Sequence, residues 1–99
     1  MRVRWTDLAV TDLDIIEGHI STENSSKIAI DVILKIIDTT DMVLSAHPRA
    51  GRLGRVSGTR ELVIDGIPFI VIYRKIDTIQ LQVLRVLHDA QEWPPGQLT

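Results

Sequence analysis

Apolar residues in the first half of the chain recur at helical spacing. Ala9, Leu13, Ile16 and Ile20 share one face of a helix predicted from Thr6 to about Ser21. Thr6 is placed to cap its first turn, where Asp7 suits the positive end of the helix dipole. Asn24 reads as the cap of a second helix. Ala29, Ile33, Ile36, Thr40 and Leu44 carry the same period toward His47, and Pro48 stops it by disfavouring helical geometry in the residue before. Beyond a glycine- and arginine-rich connection at 48–58 the period drops to two. Thr59 to Asp65, Ile67 to Lys75 and Ile79 to His88 read as strands, the first two joined by an Asp65-Gly66 turn. Short connections make them antiparallel neighbours. Val3 to Trp5 can add a short N-terminal strand. The predicted fold is α+β: a helical hairpin laid on a three-stranded antiparallel sheet. Beyond it, Glu92-Trp93-Pro94-Pro95-Gly96 cannot continue a regular element.

The second helix carries more apolar surface than one face needs. Ile28, Ile30, Val32, Leu34, Ile37, Met42 and Val43 widen its stripe. Either the helix is sandwiched between the sheet and the first helix, or part of this surface is covered by a partner chain.

Length and composition narrow the function classes. The 99 residues make one compact domain, and 44% hydrophobic with 24% charged residues describes a folded chain. With no cysteine, disulfides and thiolate metal sites are excluded. The N-terminus has no apolar signal region and no stretch is long enough to span a membrane, so a cytoplasmic protein without a membrane partner is expected. The net charge of −2 argues against nucleic-acid binding through bulk positive charge. Any polyanion contact has to be local, and Arg49, Arg52 and Arg55 are the candidate cations. The lysines, Lys27, Lys35 and Lys75, lie away from this arginine segment in the sequence.

Several strings in order along the chain carry a family resemblance. They are Trp5 with Ala9, Asp12-Leu13, Ile16 and Ile20; Pro48 with Gly51-Arg52; Gly58 to Val63; Ile72-Tyr73-Arg74; Leu84 to His88; and Gln91-Glu92-Trp93-Pro94. Together they resemble the RelE/ParE superfamily, toxins of bacterial type II toxin–antitoxin modules. The resemblance implies a plasmid-stabilising toxin neutralised by a cognate antitoxin, with Ile30, Leu34 and Ile37 as candidate antitoxin contacts. It leaves three activities open. ParE-like members poison DNA gyrase, RelE-like members are ribosome-dependent mRNA endoribonucleases, and an inactive antitoxin-binding relic is the third possibility.

The ribonuclease reading has specific requirements. Cleavage without a metal or cofactor needs a base for the 2′-hydroxyl, cations on the strained phosphate and an acid for the leaving oxygen. Arg60, Arg85 and His88 are the candidates if neighbouring strands bring them to one end of the sheet. Arginine forks bind two phosphate oxygens, and His88 exchanges protons near neutral pH. Against this stands a plainer reading: Arg60 with Glu61 and Arg85 with Asp89 as surface ion pairs, and Arg85 sharing a face with Leu87, Leu81 and Val83. Alternation makes Tyr73 a core residue with a polar tip. His19 and His47 have no metal-site spacing and read as structural, and Trp5 and Trp93 as covers for the sheet edge. The acidic balance favours gyrase, a protein target, over ribosomal RNA.

Overall fold

The structure is a computed structural model that describes residues 1–94; Pro95 and Gly96 lie outside them. The chain runs β1 (Arg2–Trp5), α1 (Asp7–Glu23), α2 (Ser26–Ala46), β2 (Arg52–Leu53), β3 (Arg60–Val63), β4 (Phe69–Lys75) and β5 (Gln80–His88). Five strands form one sheet in the order β1-β5-β4-β3-β2. The α+β class and the helical hairpin are as expected, and the sheet has two more strands than its three-stranded core. β2 escaped the sequence reading because it is two exposed residues with no alternation.

β1 lies parallel to β5, with Val3 opposite Leu81 and Trp5 opposite Val83, and the other pairs are antiparallel. A parallel neighbour requires a long crossover. Here much of the chain intervenes, beginning with the helical hairpin.

Thr6 caps α1 as expected, its hydroxyl accepting from the Ala9 N–H. The second cap is Ser25 rather than Asn24. Ser25 Oγ accepts from the Ile28 N–H at 3.2 Å, while Asn24 closes α1 by donating its backbone N–H to Ile20 O. The turn between the helices is so short that one residue ends the first helix and the next begins the second.

The core lies between the helices and one face of the sheet. Ala9 and Leu13 of α1 and Ile33, Ile36 and Leu44 of α2 pack with Leu62, Ile64, Phe69, Val71, Tyr73, Leu81, Val83 and Val86. Only one stripe of α2 is buried: Ala29, Ile33, Ile36, Thr40 and Leu44. The helix is therefore not sandwiched. Ile30 and Leu34 remain 49% exposed and Met42 69% exposed, whereas Ile37 is half-buried against the core. On the far face of the sheet, Ile70, Ile72 and Leu87 form a smaller cluster with Leu84 and Trp93.

A β-bulge joins these two faces in an unexpected phase. Ile72 lies opposite Arg85 but Tyr73 lies opposite Val83, so Leu84 has no partner. The extra residue shifts the alternation. Leu81, Val83 and Val86 face the helices, while Leu87 faces away. Strict period two, which grouped Arg85 and Leu87 with Leu81 and Val83, fails at this residue.

Candidate functional site

Three polar clusters are set by the sheet, and each reassigns residues singled out in the sequence. The first is built on Glu61, the buried residue of β3 that faces Arg52 across the β2–β3 pairing. Its carboxylate accepts from Arg52 Nε and Nη2, and from the Arg55 backbone N–H, Nε and Nη2, at 3.0–3.3 Å. Burial raises a carboxyl's pKa, but the hydrogen bonds from Arg55 and Arg52 and the Arg55 charge outweigh it and hold Glu61 down at about 2. The expected Arg60–Glu61 pair is absent because neighbouring residues on a strand point to opposite faces. Arg52 and Arg55, offered above as nucleic-acid contacts, share this one buried charge while their side chains stay about half exposed.

The second cluster ties α1 to β5. Asp12 sits in the apolar stripe of α1 and is 7% exposed. Its carboxylate takes a bidentate pair from Arg85, with Nε at 2.7 Å and Nη2 at 3.0 Å, and also accepts from the Val86 N–H at 2.9 Å. β1 covers β5 only as far as Val83. Beyond it the edge of β5 is closed by side chains, with Thr6 Oγ1 donating to Leu84 O and Asp12 receiving Val86. Arg85 also lies 5.7 Å from the Trp93 ring, a cation–π distance. The bond to Asp12 raises the Arg85 pKa against the opposing effect of burial. Asp12, not Asp89, is its partner. Sequence reasoning passed over Asp12 as a functional residue, although a carboxylate inside a helix's apolar stripe was the available signal.

The third cluster pins the connection after α2. Tyr73 is 1% exposed, a core residue with a polar tip as expected. Its hydroxyl donates to Pro48 O at 2.8 Å and accepts from the Gly51 N–H at 2.9 Å. A Cβ on Gly51 would meet the Tyr73 ring at 2.7 Å, so only glycine allows this approach. Arg60, opposite Tyr73, donates to Gly51 O at 2.8 Å and to Arg49 O at 3.5 Å. Burial raises the Tyr73 pKa, offset in part by the Gly51 N–H and the Arg60 charge.

His88 is far from this cluster. It lies opposite Phe69, with ring centroids 5.6 Å apart, while Arg60 lies opposite Tyr73. Four residues of β4 separate the two positions, roughly 13 Å of strand. The convergence of Arg60, Arg85 and His88 does not occur. β3 and β5 run parallel to each other across β4, so a residue at the start of one and a residue at the end of the other mark opposite ends of the sheet. His88 Nδ1 accepts from the Ala90 N–H at 3.0 Å and lies 3.2 Å from Asp89 Oδ1. With Phe69, Ile15, Ile16, Ile20 and Gln91 it lines a largely apolar groove of about 290 Å³.

The remaining candidates fall into place around these clusters. His19 is exposed beside Glu23, at 3.4 Å, and His47 ends α2. Trp5 donates to Asp41 Oδ1 on α2, whereas Trp93 packs on the far face of the sheet instead of its edge. A cleft of about 510 Å³ at the Arg60 end is lined by Arg49, Arg60, Arg74 and Lys75 with Tyr73 and Leu81. Lys75, remote from Arg49 and Arg60 in the sequence, is their neighbour in space.

Known proteins match this architecture along nearly its whole length. The chain is 38% identical over 93 residues to Y4kP of Sinorhizobium fredii (strain NBRC 101917 / NGR234), covering 94% of this chain and 93% of that protein. A solved structure of the chromosomal ParDE TA system from P. aeruginosa superposes with a TM-score of 0.81 at 27% identity, covering 89% of this chain and 95% of the other. The toxin–antitoxin complex RelBE2 from Mycobacterium tuberculosis shares the fold, with a TM-score of 0.65 at 23% identity over 91% of this chain and 92% of that one. Residues 3–93 match the profile of the ParE toxin of the type II toxin–antitoxin system parDE, and the chain belongs to that family.

Proposed function

We propose that this ParE-family toxin arrests growth in the cytoplasm by poisoning DNA gyrase and that a cognate antitoxin holds it inactive. The observation that carries the choice of target is the separation of Arg60 from His88 along the sheet, with Arg85 already committed to Asp12. Metal-independent RNA cleavage needs its acid, base and phosphate clamp within hydrogen-bond reach of one another's substrate atoms. These three side chains offer no such set. A poison that acts by binding a protein needs no proton transfer. The antitoxin reading is supported by the half-exposed Ile30 and Leu34 on the outer face of α2.

Induction of the His88→Gln chain tests the target. Toxicity equal to wild type, DNA-damage signalling and intact transcripts are expected. A ribonuclease deprived of a positioned proton donor would slow by about 10²–10⁴-fold. Codon-phased mRNA breaks on translating ribosomes, lost in His88→Gln, would overturn the gyrase reading and make the chain an enzyme.

A further inference from the structure

The cleft at the Arg60 end of the sheet has no role in the function proposed above. Arg60 and Lys75 flank Tyr73 on the helix side of the sheet, and Arg49 overhangs from the pinned connection. The Arg74 guanidinium, on the opposite face by alternation, donates from Nε to Gln82 Oε1 at 2.9 Å. Arg49 and Lys75 are exposed, and among the described residues neither is in an ion pair. Asp77, the nearby carboxylate, feels the charge of Lys75. Its oxygens are nonetheless occupied by the Ile79 and Gln80 N–H groups and the Gln80 amide. Asp77 offsets part of the Lys75 charge, and the remaining cations leave the cleft positive.

The hydrogen-bond inventory of the cleft selects its ligand. Pro48 O is taken by the Tyr73 hydroxyl, and Arg49 O and Gly51 O are taken by Arg60. The Tyr73 hydroxyl is itself saturated by one bond given and one received. The exposed side chains that line the cleft, Arg49 and Lys75, bring guanidinium and ammonium N–H donors and positive charge. Phosphoryl oxygens accept only, and the arginine fork matches them.

The dimensions exceed one phosphate. The cleft of about 510 Å³ is many times the roughly 30 Å³ share of a water molecule. Lys75 lies two residues beyond Tyr73, the residue Arg60 faces, about 7 Å along the strand. Tyr73, the aromatic ring in the lining, is buried in the core, so a base has no exposed ring to stack on there.

We propose that this cleft binds the sugar–phosphate backbone of a nucleic-acid strand, without reading its sequence. The inference goes beyond the gyrase reading and does not depend on it. It is measured on the isolated chain with no gyrase present, so either can fail alone.

The test is fluorescence anisotropy of a labelled twelve-nucleotide DNA strand, about 12 nt to cover the cleft, titrated with the purified chain at low salt. Wild type is expected to bind strands of different sequence alike. The R49A/K75A double variant should bind roughly tenfold or more weakly, since each removes a charge-assisted bond. Its slope of log affinity against log salt should fall by about 1.4, two contacts at about 0.7 each for a single strand. The charge-matched K27A/K35A variant on α2 should bind as wild type does. If R49A/K75A lowers the melting temperature, Lys75→Ala alone carries the comparison. Equal weakening by K27A/K35A, or no binding by wild type, would overturn the site. Pyrophosphate competing as well as the strand would assign the cleft to a small phosphate ligand, and an oligoglutamate competing as well would assign it to an acidic protein. Either result would overturn the nucleic-acid proposal.

Discussion

Replacing Glu61 by Gln keeps the shape of a buried side chain and removes the charge that two arginines surround. The side chain is 1% exposed and accepts five hydrogen bonds from Arg52 and Arg55. Its pKa falls from 4.5 to about 2 on folding. At about 1.36 kcal/mol per unit, that shift corresponds to roughly 3 kcal/mol of stability at neutral pH. The arginines are 58% and 46% exposed, which screens the pair and trims the figure toward about 2 kcal/mol. Because the folded pKa is the lower one, this stability is complete above about pH 4.5. It is less than half present near pH 3 and almost gone at pH 2. Urea unfolding of wild type and Glu61→Gln at pH 7 should therefore differ by about 2–3 kcal/mol. For a domain of this size that is a drop of roughly 8–20 °C in melting temperature. The two proteins should converge as the pH falls through this window. A deficit that stays constant from pH 7 to pH 2 would show that the loss is one of packing, not charge, and refute the reasoning.

Two other substitutions probe the pinned connection and the outer face of α2. Tyr73→Phe leaves the Gly51 N–H and Pro48 O without their partner in a buried place and should cost about 1–3 kcal/mol in urea unfolding; a loss below about 0.5 kcal/mol would mean that the hydroxyl does not hold the connection. Ile30→Asp with Leu34→Asp changes two half-exposed side chains and should leave both folding and toxicity intact. The same pair should abolish rescue by the co-expressed antitoxin, and full rescue would remove this face from the antitoxin interface.

The fold was legible in the sequence where periodicity persists over several turns or pleats. Ala9, Leu13 and Ile16 defined α1, and Ala29, Ile33, Ile36, Thr40 and Leu44 defined the buried stripe of α2. β4 was visible as a continuous apolar run, buried from Phe69 to Tyr73. Legibility ended where one residue changes the phase. Leu84 at the bulge moved Leu87 to the far face of the sheet, and no propensity marks a bulge in an unbroken apolar run. The candidate site failed for a topological reason. Arg60, Arg85 and His88 were all correctly placed on strands or at their ends, but which ends meet depends on strand order and direction. Partner choice failed for a third reason. Glu61 and Asp12 find their arginines across strand and helix contacts, whereas the sequence offered only adjacent residues or those a few positions away.

The same pairing corrects the inference drawn from net charge. Eight of the carboxylates lie on α1 and α2, where Lys27 and Lys35 are the only cations, so the helical layer is strongly acidic. In the sheet layer, Arg52 and Arg55 share the single charge of Glu61, and Arg85 is paired with Asp12. Each of these ties the sheet to itself or to α1. Apart from Arg2 and Arg4 on β1, the other cations gather at one end of the sheet. Tyr73 draws the connection down onto the sheet, Arg60 follows it through Gly51 O, and the strand end delivers Lys75 to the same place. A chain of net charge −2 thus presents a local positive surface because its acidic residues are used elsewhere. For screened charges at physiological salt only groups within about 8 Å act together. What decides attraction of a polyanion is the composition of that neighbourhood, and a sum over the whole sequence conceals it.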